Sequence, residues 1–398
     1  MPTVKRYNTK SIRIVSMAIL LLLNAVKLYG QGFEESTIDG NTISYRYTPA
    51  NDGLSSGLDD YLSDNLGNKK VRFNIFGGPG YSANTGWRLA AIGNLYYRQG
   101  NDSDTTPGML SISATASLTG YYGVSVVGCN HLGDGRHRLG YGINAYFEPT
   151  YIWGLDYNTS RQNSAGTYTS RDYAAWLDYR YYILPQFFVD IAADYRNITA
   201  IGFDNQAEFI THGESHNASS FGIGLGLGVD TRRLSEYTTR GIYATAKITT
   251  RPKFANNLYS HLYTLKIIFD YFQPLWRGAT LALDLYGEFH NAATPWFMRA
   301  ELGGDDRMRG YYAGRYNGDN LISAQLELRQ HIWQGLGIAA WGGAGEAFSS
   351  DDPFTWHKVL PTYGVGLRWS INRLSTIRLD MAFGRNSRYL ILGLNLPF

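Results

Sequence analysis

What most constrains the folding of this chain is a period-two alternation of apolar and polar residues, in segments of about ten residues, repeated along most of its length. From Thr376 to Phe383, Ile377, Leu379, Met381 and Phe383 take one face while Arg378, Asp380 and Ala382 take the other. Ile322, Ala324, Leu326 and Leu328 oppose Gln325, Glu327 and Arg329, and Leu281, Leu283 and Leu285 oppose Asp284, Tyr286 and Glu288. Successive side chains of a strand point to opposite faces, so each segment has one lipid-soluble face and one polar face. That is the pattern of a membrane strand between lipid and a polar lumen. A soluble sandwich shows one or two such strands and has no need of so many.

The alternation predicts strands at 71–81, 86–98, 108–118, 121–131, 136–147, 166–182, 186–197, 217–230, 240–251, 259–273, 279–290, 319–332, 336–347, 361–371, 375–384 and 388–398. The expected fold is therefore all-β: a transmembrane antiparallel β-barrel of about sixteen strands over 71–398, an even count as single-chain bacterial barrels have. With the N-terminus on the periplasmic side, the long connections 148–165, 198–216, 291–318 and 348–360 fall outside. Short ones such as Leu184-Pro185, Trp333 to Gly335 and Asn372 to Leu374 fall inside. An open edge in lipid would leave backbone groups unpaired at several kcal/mol each, so the first strand must meet the last. The last alternates Leu390, Leu392, Leu394, Leu396 and Phe398 against Tyr389, Ile391, Gly393, Asn395 and Pro397, which predicts that Phe398 ends the barrel as an outward aromatic.

Aromatic residues near strand ends, Tyr96, Tyr97, Tyr181, Tyr182, Phe187, Phe188, Tyr271, Phe272 and Trp276, divide between a headgroup belt and the lumen. The proposed eighth strand sets Phe221, Ile223, Leu225, Leu227 and Val229 against Gly222, Gly224, Gly226 and Gly228. Its lumen face is bare backbone, which fits either a bend or the close approach of another segment.

The first residues read as a targeting segment. Lys5, Arg6, Lys10 and Arg13 precede the apolar run Ile14 to Val26 and the small residues Gly30 and Gly32, so 1–30 is expected to be a signal peptide. The run is too short to span a bilayer and Lys27 interrupts it. No later stretch approaches the ~18 apolar residues of a membrane helix, which excludes a helical membrane protein. The chain's formal charge of +3 belongs to this segment; removing its five basic residues leaves 31 basic against 33 acidic, a net −2. No basic face for a nucleic-acid partner remains. Cys129, the single cysteine, rules out an intramolecular disulfide framework and a cysteine-rich zinc site. Residues 31–70 are polar and Gly-rich, with an amphipathic helix expected around Leu58 to Leu66, and are too few for a sizeable independent domain; they are expected to form a short periplasmic segment.

The longest loop carries Leu302-Gly303-Gly304-Asp305-Asp306-Arg307-Met308-Arg309-Gly310-Tyr311-Tyr312, a Gly-rich turn with an arginine at its tip that is suited to folding back. Met308-Arg309-Gly310-Tyr311 resembles the inward-folded loop motif of the BamA/TamA-type outer-membrane barrels, the bacterial surface antigen superfamily, and of the related two-partner-secretion transporters. Asp230-Thr231-Arg232, followed by Arg240-Gly241 leading into a strand, resembles that family's signature, and Glu327-Leu328-Arg329, Arg378-Leu379-Asp380 and the terminal Phe398 stand in the family's order. The resemblance covers the C-terminal half of the barrel well and Gly77 to Leu95 more loosely.

The resemblance implies that the loop arginine pairs with acidic residues on the two strands that follow. By position the first partner is Glu327, whose parity points into the lumen. The second falls in Trp341 to Gly345, where the family carries an aspartate and this chain has Gly343, so Arg309 is expected to have one anchor fewer. The resemblance also implies a bacterial outer-membrane location in contact with lipid, with Phe398 as the signal by which this chain is a client of the barrel assembly machinery. It implies polypeptide substrates and periplasmic POTRA domains; 31–70 cannot hold one, so a separate periplasmic partner is expected in their place. A seam that opens sideways is implied too. Strand one contains Gly77, Gly78, Pro79 and Gly80, of which Pro79 cannot donate a ladder hydrogen bond, and the last strand contains Gly393 and Pro397. These residues either weaken the seam or simply end the strands.

Two chemical readings are weak. His212 and His216 flank Glu214, but their spacing suits a metal only on a helix and they fall in a loop. Asp305, Asp306 and His290 invite a hydrolase reading without any accompanying nucleophile motif. No cofactor or metal is expected, and no enzyme. The expected function is insertion or translocation of polypeptides at the outer membrane. The alternatives are a passive pore or solute transporter on the same scaffold, and a surface receptor or structural barrel.

Overall fold

The computed structural model describes residues 71–398 except 83–85, 98–107, 133–135, 163–164, 205–214, 233–237, 256–259, 292–293, 334, 373–374 and 395. The expected leader 1–30, the segment 31–70 with its helix, His212 and Glu214 lie outside the described residues. In chain order the strands are β1 Val71–Ser82, β2 Gly86–Tyr97, β3 Gly108–Ser117, β4 Tyr122–Leu132, β5 His137–Ile152, β6 Gly166–Leu184, β7 Phe187–Ile201, β8 Asn217–Asp230, β9 Gly241–Arg251, β10 Leu262–Pro274 and β11 Ala279–His290. After β12 Ala300–Leu302 and β13 Tyr316–Gly318 come β14 Asn320–Trp333, β15 Leu336–Phe348, β16 Leu360–Asn372, β17 Ser375–Gly384 and β18 Ser387–Leu394. Among the described residues one short α-helix, α1, spans Tyr157–Gln162.

Sixteen of these strands close into an antiparallel barrel, with β11 next to β14 and β18 next to β1, while β12 and β13 pair only with each other. The chain is thus an all-β transmembrane barrel with the strand number the alternation predicts. Its parity is observed directly. Ile75, Leu89, Ile143, Ile191, Leu227, Val365 and Leu367 lie exposed on the outside, whereas Arg180, Asp190, Asp284, Gln325, Glu327, Arg368 and Asp380 are buried on the inside. Burying outward apolar area in lipid contributes about 25 cal/mol per Å², and closure pairs the backbone without an edge. At the short-turn end Trp276, Trp333, Trp369 and Tyr181 are outward and exposed, where an amphipathic ring meets headgroups, while Tyr96, Tyr182, Phe188 and Phe272 turn inward and are buried.

The structure adds detail that the alternation does not carry. Strands β5 and β7 run on past 147 and 197 to Ile152 and Ile201 beside β6, which starts at Gly166 as expected, and a hydrophobic cluster of Ile152, Tyr168, Ile198, Ala200, Ala218, Trp296 and Phe297 packs there. The glycine face of β8 points inward as expected but is covered. A Cβ at Gly228 would lie 2.1 Å from Phe188 Cζ and one at Gly222 2.0 Å from Arg251 Nη1, so neighbouring side chains lie flat across β8. Close approach, rather than a bend, accounts for these glycines.

The C-terminus departs from the expected parity. Strand β18 stops at Leu394, and Phe398 is not an outward aromatic of the strand. The buried guanidinium of Arg329 on β14 donates to the Phe398 main-chain oxygen at 2.9 Å and lies 5.2 Å from its ring centroid. The expected outward parity fails because Pro397 has no N–H for the ladder and a lumen arginine attracts both the carbonyl and the ring face.

Candidate functional site

The connection between β11 and β14 folds into the barrel as a hairpin, with Ala300↔Gly318 and Leu302↔Tyr316 in register. Its tip turns on Gly303 and Gly304, whose φ of 111° and 119° lie in the left-handed region. Beyond the tip, Arg309 is fully buried. Its Nη2 donates to Glu327 Oε2 of β14 at 2.5 Å and its Nη1 to Asp380 Oδ2 of β17 at 3.1 Å. The guanidinium lies 3.7 Å from the Trp341 ring centroid, a stacked position that a planar cation favours.

Both carboxylates are shared. Glu327 Oε1 also accepts from Arg329 Nε at 2.8 Å and lies 3.6 Å from Arg368 Nη2, and Asp380 is bonded by Arg368 and lies 3.5 Å from Arg378 Nη1. Four arginines thus surround two buried carboxylates. Charge-assisted bonds of this kind are the strong and directional ones, and in a low-dielectric interior they count for more than at a surface.

The expected anchor deficit is corrected here. Gly343 faces inward without an acid, and a Cβ there would lie 2.5 Å from the Ala324 oxygen and 2.8 Å from Gln325 Cγ, so Gln325 occupies the space an aspartate would need. The second carboxylate comes instead from Asp380, two strands farther round the wall.

The rest of the motif fastens the loop to the last strands. Met308 adopts φ 50°, unusual for a residue with a side chain, and its N–H donates to Gln325 Oε1 at 3.2 Å. Gly310 has φ 102°, and a Cβ on it would lie 2.6 Å from the Phe383 carbonyl carbon, so the loop backbone sits directly on β17. Its carbonyl accepts from Ser387 Oγ at 2.6 Å, and the Arg309 carbonyl accepts from Thr362 Oγ1. The Tyr311 hydroxyl donates to the Pro361 carbonyl and accepts from the Arg385 N–H, each at 2.6 Å. On the other side Arg307 makes a bidentate pair with buried Asp284 of β11, closest at 2.8 Å, and lies over Tyr286.

The signature at β8–β9 stands apart from this hub. The Asp230 carboxylate accepts from the Arg232 N–H and guanidinium at about 3.0–3.2 Å, and Thr231 exchanges two hydrogen bonds with Ile242. Gly241, at φ 127°, lets the chain pass where a Cβ would lie 2.6 Å from Arg232 Cα. These residues close one turn. His290 is likewise separate from Asp305 and Asp306: its Nδ1 bonds the Asp319 carbonyl at 2.5 Å, while the two aspartates face Arg88 and Arg378.

Sequence reasoning did not single out Arg368, Thr362, Asp284 or Arg88. The signal was present, because each is a polar residue at an inward-parity position of a membrane strand, where burial demands a partner.

At the seam, β1 meets β18 at a single ladder position among the described residues, Tyr81 with Leu392, whereas β1 pairs with β2 along its whole length from Val71 to Ser82. Gly77 and Pro79 share the outward parity of β1, Gly78 and Gly80 the inward one, and Gly393 faces inward on β18.

Solved structures share this architecture. BamA from Haemophilus ducreyi lacking POTRA domains 1–3 aligns with a TM-score of 0.57 at 13% identity, over 82% of this chain and 70% of that one. CdiB from Acinetobacter baumannii gives 0.55 at 13% identity, over 82% and 60%, and CdiB from Escherichia coli 0.57 at 10%, over 82% and 63%. The fold is that of the BamA and CdiB barrels. The chain spans less than two thirds of either CdiB chain. No protein-family model and no curated protein matches the sequence.

Proposed function

We propose that this chain is an outer-membrane barrel that acts in the insertion or translocation of polypeptides, without enzymatic chemistry. The observation that carries the reading is the seam. A closed barrel in lipid gains several kcal/mol for each backbone group it pairs, yet among the described residues β1 and β18 pair at one position, whereas β1 with β2 and β17 with β18 pair along whole strands. A join so short can part and expose strand edges to an incoming polypeptide, which would pair by β-augmentation. Fold similarity to BamA and CdiB barrels supports the same reading. In it the first thirty residues export the chain, the barrel assembly machinery inserts it, and a separate periplasmic protein delivers substrate. Depletion followed by outer-membrane proteomics tests this: other barrels should fall in abundance, and unchanged levels would overturn it.

A pore is the second reading. A cavity of about 450 Å³ lies between the inward hairpin and the β5–β11 wall, lined among others by Glu148, Asp172, Arg196, Glu288 and Glu301. A polar cavity of this kind suits a conduit for solutes. Steady large openings in a planar bilayer, with normal barrel levels on depletion, would favour the pore over insertion.

A further inference from the structure

Four residues stand at one level across the seam. Gly80 of β1 is the ladder partner of Arg88 on β2, and Gly393 of β18 is the partner of Arg378 on β17. The register of Tyr81 with Leu392 places Gly80 opposite Gly393. Each arginine lies flat across its glycine toward the seam. A Cβ on Gly80 would be 3.1 Å from Arg88 Nε and 3.4 Å from the Leu392 oxygen, and one on Gly393 would be 3.2 Å from Arg378 Nε. Two guanidinium groups therefore approach this sparsely paired join from opposite banks. Asp380 balances part of the Arg378 charge at 3.5 Å, and what remains repels Arg88 across the join.

The tip of the inward loop supplies the opposite charge. Asp305 Oδ2 lies 3.7 Å from Arg88 Nη2. Arg378 donates from Nη1 to the Asp305 carbonyl at 2.8 Å and from Nη2 to Asp306 Oδ1 at 2.7 Å. Burial pushes the Asp305 carboxyl up, and Arg378 and Arg88 pull it back. The tip is itself held in place a few residues on by Arg307 on Asp284 and by Arg309 on Glu327 and Asp380.

We propose that Asp305 and Asp306 are positioning residues that latch the β1–β18 seam from inside the lumen by bridging Arg88 on one bank and Arg378 on the other. The latch rests on reading the seam as the opening through which polypeptide passes, and it makes the loop tip the regulator of that opening. A polypeptide or partner that draws the acidic tip away would leave the two arginines facing each other across a join with little backbone pairing, and the seam would part. Glycines at 80 and 393 then have a specific purpose: a larger side chain at either would lift the arginine off the strand and away from the tip.

The test uses the full chain in proteoliposomes, with Cys129→Ser and spin labels at Leu89→Cys and Leu390→Cys, two outward positions on opposite banks. Electron–electron distance measurements report the seam directly, without substrate. Asp305→Asn with Asp306→Asn, and independently Arg88→Gln, should each raise the wide-separation population roughly two- to fivefold, as expected from loss of a partly exposed ion pair. The charge exchange Asp305→Arg with Arg88→Glu should restore the narrow population while leaving the heat-modifiable folded fraction unchanged, a rescue that a merely structural role would not give. Unchanged distances in both the aspartate pair and Arg88→Gln, in folded protein, would overturn the latch. Because no substrate is present, the latch can fail while insertion stands. A seam that widens in the variants with no change in outer-membrane barrel levels would instead retain the latch and count against insertion.

Discussion

Arg309 has no exposed surface, so its charge is balanced only by the atoms that touch it: two carboxylates, the face of Trp341 and the fixed dipoles around them. Removing it breaks the buried charged link that ties the loop to both β14 and β17. Arg309→Ala should lower the heat-modifiable folded fraction and the urea midpoint by an amount equivalent to about 3–5 kcal/mol, the usual cost of breaking a buried ion network. Arg309→Lys should recover little of it, since an ammonium cannot make the two-pronged bond while stacked on Trp341; a wild-type midpoint for the lysine variant would show that charge alone suffices. Gly343 gives the opposite kind of test. The resemblance expects an aspartate there, but Gln325 fills the space, so Gly343→Asp should destabilise by about 1–3 kcal/mol through overpacking. A raised midpoint would mean that the hub accepts a third acid.

The glycine stretch of β8, 222–228, shows how wall without lumen side chains still contributes. Arg251 of β9 reaches across Gly222 to Asp194 of β7 at 2.7 Å, and Lys247 reaches over the same strand to Asp178 of β6 at 3.4 Å. Gly222→Ala would put a methyl group where the Arg251 guanidinium lies. It should cost about 1 kcal/mol or more, and the cost should largely vanish in an Asp194→Ala background, the non-additivity that marks a shared contact; additive losses in the urea midpoint would refute the bridge. Such cross-strand placement explains what alternation could and could not convey. Parity located the sixteen strands because lipid and lumen impose it residue by residue, and it put Glu327 and Asp380 on the inside. It could not say that Asp380 rather than position 343 serves Arg309, since that depends on the curvature of the wall and on how deep the loop descends. Nor could it foresee that β18 stops at Leu394 and Phe398 turns under Arg329, because a strand's end is decided by competing tertiary partners.

At the scale of the whole molecule, the loop joins parts of the barrel that the backbone ladder joins weakly or not at all. From the outer side, α1 adds a second inward element. Asp156 accepts the N–H groups of Asn158 and Thr159, the Tyr157 N–H donates to Asp352, and the Tyr157 hydroxyl accepts from Arg385 at the β17–β18 turn. Tyr157 also stacks on Tyr316 of the hairpin, with ring centroids 5.7 Å apart. Two connections from different sides of the wall therefore meet inside the barrel and fill its long-loop half, leaving the cavity beside the hairpin. If the lumen is obstructed in this way, the intact chain should conduct poorly in a planar bilayer. Replacing 303–312 by a short Gly-Ser turn removes Arg307, Arg309 and Tyr311 together, and with them every link from the tip to β11, β14 and β17. The hairpin should then lose its register in the lumen, and steady large openings should replace brief small ones. Equal conductance of the two chains would mean that the open path runs beside the loop rather than through the space it fills, and would move the pore ahead of insertion as the function of this barrel.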